Sequence, residues 1–410
     1  MKAVVVGGGL AGLAAALELV DAGADVILYE ARPTLGGAVQ TLPAREGDPD
    51  PPPDNGQHIA LGCFTEYLRF LDRVGESGSV RRTRLALPVI AEDGRVSSIR
   101  PTPAALVAYR HLPLRDRVRI PLTLARMRKA QALDGETFGA TLRRLGASDA
   151  SVERFWDVFV RPALNLPADE VDAEAGLFTV RTALLGPRAN ADLVLPVRPL
   201  GEMHGDAAGR ALEAAGATVR LGERVDSLDD LDADVIVVAT PPRESARLLD
   251  EPDPGYEDSP IVSVHLLFDR PLLVTPLAAL LGSDAHWVFD RGALTGHRPA
   301  QGQYLTVVSS GVPELLDLRG KELVDRIAGQ LTERLGAAEL SWSRVSREPY
   351  ATIALRPGVA RPGVETRRSG VVRAGTWTDT GWPATMESAV RSGRAAAARA
   401  VDRAPDTVST

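Results

Sequence analysis

Residues 1–30 constrain this chain more than any other stretch. Residues 2–6 (KAVVV) are a short apolar run of the kind that forms a buried parallel strand, and Gly7-Gly8-Gly9-Leu10-Ala11-Gly12 follows at once. Leu10, Leu13, Ala14, Leu17 and Val20 then recur at helical spacing, Gly23 can close the helix in a left-handed conformation, and residues 25–29 (DVILY) read as the next strand. The spacing predicts a βαβ unit. In such a unit Gly7 permits the tight turn, Gly9 lets backbone approach a pyrophosphate, and Gly12 lets the helix pack close to the strand, so that amide N–H groups and the helix dipole face the phosphates. Glu30 ends the second strand, where a carboxylate accepts from both ribose hydroxyls. A glycine motif alone is weak evidence. Glycines, strand, helix and terminal acid in one register point to a dinucleotide.

Ala31-Arg32-Pro33-Thr34-Leu35-Gly36-Gly37 comes next, and its glycine doublet lets a second loop lie against the same ligand with no Cβ in the way. This stretch resembles the FAD-binding start of the amine oxidase and phytoene desaturase superfamily. The resemblance implies FAD as the cofactor, with the glutamate on the adenosine ribose and the doublet near the pyrophosphate.

At 410 residues the chain is long enough for two intimately connected domains. A net charge of −7 argues against a nucleic-acid partner, which would want a basic surface. The single cysteine, Cys63, excludes an internal disulfide and a cysteine-based metal cluster, fits a reducing compartment, and reads as a buried small apolar residue. The first residues already form a strand, leaving no signal peptide, and no run approaches the ~20 apolar residues of a spanning helix. The expectation is a cytoplasmic protein, with peripheral attachment to the inner face of the cell membrane left open.

Residues 46–53 form an acidic, proline-rich loop that ends at Asp54-Asn55-Gly56-Gln57-His58, and residues 59–74 then have helical periodicity. Residues 80–190 read as a helical insertion with a few strands at its edges. Within it, residues 110–129 carry seven Arg or Lys and one acid interleaved with Leu112, Leu114, Val118, Ile120, Leu122, Leu124 and Met127. Such a segment suits an anionic membrane, or a solvated helix packed on the domain, and Pro113 and Pro121 are expected to break it. Residues 155–160 read as helix ending in a turn at Arg161-Pro162-Ala163-Leu164-Asn165-Leu166-Pro167. Strands are expected at 193–196, 218–221 and 234–239, with a helix at about 202–215. Val225 would then pass under an adenine, and Ala239 would end the buried strand. Further strands are expected at 262–268 and 304–309, with a helix at 315–335. Residues 371–374 form a last strand before Gly375, and Pro383-Ala384-Thr385-Met386-Glu387 leads into a helix. Its N-terminus would stabilise negative charge on a reduced flavin, and its small residues would let the cofactor pack against it.

The fold class expected is α/β. A Rossmann-type FAD/NAD(P)-binding domain (1–75, 191–250 and 360–402) is interleaved with an α+β substrate domain (76–190 and 251–359), and residues 403–410 form a disordered tail. The residues expected at the cofactor are Gly7, Gly9, Leu10, Ala11, Gly12, Glu30, Ala31, Arg32, Gly36, Gly37, Asn55, Gly56, Val225, Ala239, Gly375, Thr376, Pro383, Ala384, Thr385 and Met386. No metal is expected.

Three stretches together point beyond the superfamily: Asp54-Asn55-Gly56-Gln57-His58 with Leu61-Gly62-Cys63, the segment from Arg161 to Pro167, and Ala374-Gly375-Thr376-Trp377 through Glu387 to Arg391-Ser392-Gly393. Over essentially the whole chain these resemble the squalene-associated FAD-dependent desaturases, the hydroxysqualene dehydroxylase family. Three positions depart from the superfamily pattern: Thr376 stands where an acid is common, Ser388 where a glycine is usual, and Ala38 where an arginine often follows the doublet.

The resemblance implies reductive removal of the allylic hydroxyl of hydroxysqualene to give squalene, a hopanoid precursor. The reaction asks for a general acid on a poor leaving group and for hydride from flavin N5, in a long, dry apolar channel. Asp54, Gln57 and His58 are the candidates to orient or protonate the hydroxyl, and Asn165 is a further handle for it. The competing reading has Asp54 and Asn55 capping a helix that begins near Gly56. Rival functions on the same scaffold are a carotenoid or phytoene desaturase, an amine or porphyrinogen oxidase in which Trp377 and Trp382 imitate an aromatic sandwich, and a non-redox lipid-binding carrier. The partner implied is a lipid-like small molecule; no motif names the electron donor.

Overall fold

The computed structural model describes residues 1–402; the tail expected at 403–410 lies outside the described residues. A five-stranded parallel sheet is ordered Val371–Arg373, Val235–Val238, Lys2–Val6, Asp25–Glu30, Thr218–Leu221. The central strand is apolar at every inner position because both faces are covered. Ala3 and Val5 pack with Leu13, Leu17 and the C-terminal helix Met386–Asp402, while Val4 and Val6 pack with Val225, Leu248 and Leu249. Strands from the start, middle and end of the chain thus share one sheet. The helix after the glycine motif is Leu10–Asp21, stopped at Gly23, whose φ is +81°.

A second sheet has seven strands in the order Leu340–Ile353, Asp258–Phe268, Gln303–Ser310, Trp287–Asp290, Leu277–Leu280, Leu87–Ile90, Val96–Ile99. All pairings are antiparallel except Leu277–Leu280 with Leu87–Ile90. Its two faces differ in chemistry. Val262, Val264, Leu266, Leu305 and Val307 form a core with Leu323, Ile327 and Leu331 of the helix Gly320–Leu335. Ser263, His265, Tyr304 and Thr306 point the other way, and register sets Ser346 beside Ser263 and Arg344 beside His265. This second face is buried yet polar.

A small sheet joins Ala60–Leu61, Leu193–Pro196 and Val80–Thr83. Its existence corrects the helix expected over 59–74, which is confined to Thr65–Arg73. The Gly62 N–H donates to the Asp192 carbonyl at 2.8 Å, and a Cβ on Gly62 would lie 1.9 Å from the Ala189 carbonyl oxygen, so the backbone is drawn into extended pairing. The small sheet also crosses the boundary drawn between residues 75 and 76. The helix expected at 315–335 is two, Pro313–Leu316 and Gly320–Leu335.

Of the breaks expected at Pro113 and Pro121 within residues 110–129, the one at Pro121 does not occur. Leu114–Met127 is one continuous helix with Pro113 as its N-cap and Pro121 inside it. Ile120, Thr123 and Met127 turn inward, whereas Leu114, Val118 and Leu122 are 64%, 49% and 53% exposed. Among the described residues no helix is long and apolar enough to cross a membrane.

Candidate active site

Two glycine loops meet at the C-terminal edge of the parallel sheet. Gly7 has φ +111°, and a Cβ there would sit 2.6 Å from the Ala239 carbonyl oxygen; a Cβ on Gly12 would sit 1.8 Å from the Gly7 carbonyl oxygen. Both glycines are therefore required by close backbone approach. Gly9 differs, because the nearest atom to its Cβ position is the Gly37 Cα at 3.7 Å. The second loop lies against the first, with the Gly36 N–H donating to the Gly8 carbonyl at 2.8 Å. The Glu30 carboxylate accepts from the Gly8 N–H at 2.6 Å and the Arg32 N–H at 2.8 Å. Leu10 and Ala11 are buried in the first helical turn, Ala31 and Arg32 are exposed beside Glu30, Val225 is buried under the sheet, and the Ala239 N–H donates to the Val6 carbonyl.

The other end of the chain closes on this edge. The Gly375 N–H donates to Ser392 Oγ at 2.9 Å, and Thr378 Oγ1 lies 2.6 Å from the same hydroxyl. Thr376 is half-buried next to it, and Pro383, Ala384 and Thr385 lead into the helix that begins at Met386. One expectation here is corrected. A Cβ on Gly393 would lie 2.0 Å from the Ala11 carbonyl oxygen, so this small residue serves contact with the first helix rather than with a cofactor. Trp377 donates its indole N–H to the Thr240 carbonyl at 3.1 Å, while Trp382 packs edge-on against Phe64 and Phe178. The two indoles face different partners and form no sandwich.

The quintet from Asp54 to His58 is tied to the second glycine loop: Asn55 donates from Nδ2 to the Ala38 carbonyl at 2.8 Å and from its backbone to Gln40 at 2.9 Å. No helix begins at Gly56; a Cβ there would lie 2.8 Å from Ser263 Oγ, which brings the loop onto the polar face of the large sheet. Asp54 is 1% exposed. Its Oδ1 accepts from Thr41 Oγ1 at 2.7 Å and the Leu200 N–H at 2.9 Å, and its Oδ2 lies 2.9 Å from Arg291 Nη2. Burial pushes the Asp54 carboxyl above its ordinary range, against the Arg291 guanidinium and the two neutral donors. The Leu200 N–H and the Arg291 guanidinium can only donate, whereas the Thr41 hydroxyl can donate or accept, so the carboxyl has a partner in either protonation state.

Arg291 also donates from Nη1 to Gln57 Oε1 at 2.8 Å. The sequence reading missed this arginine. The signal available was an Asp-Arg pair directly after the apolar run Trp287–Asp290, where Asp290 caps the short helix Arg291–Thr295 through the Ala293 N–H. His58 is partly buried, and burial lowers its imidazole to about 4, leaving it neutral near pH 7. Asn165 is not part of this constellation. It sits at φ +55° at the end of the helix Asp157–Leu164, donates to the Ser259 carbonyl and Thr352 Oγ1, and accepts from the Gly311 N–H, so each polar atom of its amide is already partnered. Ser263 Oγ, His265 Nε2 and Tyr304 Oη are buried beside the quintet without hydrogen-bond partners among the described residues.

The uncrowded backbone at Gly9, the acid at the end of the second strand and the closing helix from the far end of the chain fit a dinucleotide whose pyrophosphate crosses the first helix N-terminus. The family model for flavin-containing amine oxidoreductases matches residues 10–401. A hydroxysqualene dehydroxylase from Sinorhizobium fredii is 31% identical over 96% of each chain. A zeta-carotene desaturase from Arabidopsis thaliana is 24% identical, covering 98% of this chain and 85% of its own. Among solved structures, an oxidoreductase from Methanosarcina mazei superposes with a TM-score of 0.75 at 19% identity, over 96% of this chain and 99% of that one. The chain therefore belongs to the flavin-containing amine oxidoreductase family, is an FAD-dependent oxidoreductase, and is similar over nearly its whole length to a protein named hydroxysqualene dehydroxylase.

Proposed function

We propose that this enzyme removes the allylic hydroxyl of hydroxysqualene reductively to give squalene. The observation that carries the reading is the full-length similarity to a hydroxysqualene dehydroxylase, joined to a buried polar layer between the Asp54–His58 loop and the large sheet. A carotene desaturase acts on a hydrocarbon and has no use for such a layer; an alcohol offers one polar handle to it.

In this reaction the C–O bond breaks, one proton and one hydride are consumed, and water and the hydrocarbon leave. Bound and reduced, FAD supplies the hydride. The chain's own residues divide the remaining work. Asp54, paired with Arg291, anchors the loop. Gln57 is the neutral group suited to orient the hydroxyl, and His58 passes it the proton that leaves with the oxygen as water, a proton taken from solvent and readily given up by a buried imidazolium. Burial of the layer excludes water, which would otherwise capture an allylic cation.

The lipid substrate enters from a membrane surface on this reading, and the exposed Leu114, Val118 and Leu122 with neighbouring Arg115 and Arg119 form the contact. The test is single-turnover chemistry: prereduced holoenzyme mixed with hydroxysqualene yields squalene with matched flavin oxidation. Flavin that stays reduced while the alcohol is recovered unchanged overturns the reading.

A further inference from the structure

Arg291 belongs to the large sheet's side of the molecule, yet its guanidinium ends among residues of the loop that follows the second glycine motif. Its side chain is 2% exposed, as is that of Asp54. A guanidinium only donates, so the atom of Gln57 that faces Arg291 Nη1 at 2.8 Å is the amide oxygen, and the amide NH2 must point elsewhere. That NH2 has one long contact, 3.4 Å to the His58 carbonyl oxygen. Gln57 is itself 7% exposed. A buried amide fixed at its oxygen and nearly unspent at its nitrogen is a donor waiting for an acceptor. Asp54 faces the guanidinium from the other side as an ion pair, its Oδ2 2.9 Å from Nη2, while Asp290 fixes the turn that carries Arg291 through the Ala293 N–H at 2.9 Å and the Gln303 amide at 2.7 Å.

We propose that Arg291 is a positioning residue: locked by Asp54, it gives Gln57 a single orientation, so that Gln57 Nε2 donates a hydrogen bond to the hydroxyl oxygen of the bound alcohol. The identity of that alcohol rests on the function proposed above; the relay does not. Lysine cannot replace Arg291, because an ammonium lacks the planar fork that serves Asp54 and Gln57 at once.

The test measures selectivity for the hydroxyl rather than turnover. Equilibrium binding of hydroxysqualene and of squalene to oxidised holoenzyme, in detergent micelles separated by ultrafiltration, gives a preference for the alcohol of about tenfold in the parent protein, the size of one neutral hydrogen bond. Arg291→Lys keeps a positive charge against Asp54 but removes the preference, and Gln57→Met, which keeps the side chain's length and offers neither N–H nor oxygen, removes it as well. The double variant is no worse than either. A preference that survives in Gln57→Met, or in Arg291→Lys purified with full flavin, overturns the proposal, as does a parent protein that binds both ligands equally. If the preference follows the relay while no squalene forms in single turnover, the inference stands and the proposed reaction falls.

Discussion

The Glu387 carboxylate accepts the backbone N–H of Tyr67 at 2.8 Å, so the last helix of the chain caps the start of a helix some three hundred residues earlier. Oε1 of the same side chain accepts from the Glu66 N–H at 3.2 Å and from Arg391 Nε at 2.8 Å. No side chain within the helix Thr65–Arg73 does this work, because Phe64 stands at its N-cap. A fully buried carboxylate at a helix N-terminus combines the cap, the dipole and charge-assisted hydrogen bonds. Glu387→Ala is expected to cost about 2–3 kcal/mol, and Glu387→Gln, which keeps one acceptor, roughly half as much. Thermal unfolding of the three holoenzymes checks the order, and an alanine variant as stable as the parent would remove Glu387 from this role.

The second and third glycines of the first motif, Gly9 and Gly12, are expected to fail differently. A Cβ at Gly12 would overlap the Gly7 carbonyl, so Gly12→Ala disturbs the βαβ unit itself, lowering the melting temperature of the apoprotein together with flavin content. A Cβ at Gly9 makes only an ordinary contact with Gly37 Cα at 3.7 Å, so the protein can hold it, and the intrusion expected is on the pyrophosphate. Gly9→Ala is expected to leave apoprotein stability within about 0.5 kcal/mol of the parent while weakening FAD binding at least tenfold. Flavin fluorescence titration beside apoprotein melting separates the two, and a Gly9→Ala protein that takes up FAD as the parent does would contradict the pyrophosphate reading.

The nucleotide-binding half was legible because its physics is local. A strand, a tight turn and a helix follow one another within residues 2–21, and glycines can be read against backbone approach without knowing what lies far away. The quintet was legible as a polar cluster but not as a network, since its partners Thr41, Leu200 and Arg291 come from three other segments. Helical periodicity over 59–74 misled because pairing with Leu193–Pro196 outweighs local preference at Ala60–Leu61. The strand Leu340–Ile353 escaped for a related reason. It is an edge strand with Pro349 inside it, and its apolar residues are too sparse to alternate.

Four buried or partly buried histidines make the protein sensitive to acid. Burial lowers His58, His204 and His286 to about 4 and His265, which also faces Arg291 and Arg344, to about 3, against an ordinary value of 6.5. A histidine whose folded value is depressed binds fewer protons folded than unfolded, so its contribution is present above 6.5 and is lost as pH falls toward the folded value. Asp157 works in the opposite sense, since burial raises it to about 6 and the folded state gains protons there as pH falls. Between pH 6.5 and 6 the four histidines outweigh the single Asp157. Stability is expected to fall through this range, with each histidine contributing at most about 1.4 kcal/mol per pH unit lower down. His265→Asn removes one such contribution. Between pH 6 and 4 the slope of its stability against pH should be shallower than the parent's by up to that amount, and parallel slopes would show that His265 is protonated equally in both states.

The exposed stripe of Leu114, Val118 and Leu122 lies on a helix that already buries its opposite side through Ile120, Thr123 and Met127. Residues four apart stand on one face, so the stripe is continuous, and Arg115, Arg119 and Arg126 flank it in solvent. A solvated helix gains nothing from three outward aliphatic side chains, whereas an anionic bilayer accepts both the side chains and the guanidinium groups. Each aliphatic group inserted contributes about 1.5–3 kcal/mol at full burial, and each cation near the surface about 1 kcal/mol at low salt. Flotation with vesicles containing an anionic lipid should carry the parent protein upward, more weakly as salt rises. The triple variant Leu114→Ser, Val118→Ser, Leu122→Ser should stay at the bottom with its flavin still bound. A parent protein that ignores such vesicles at low salt, or a triple variant that floats equally well, would leave the stripe without a membrane role.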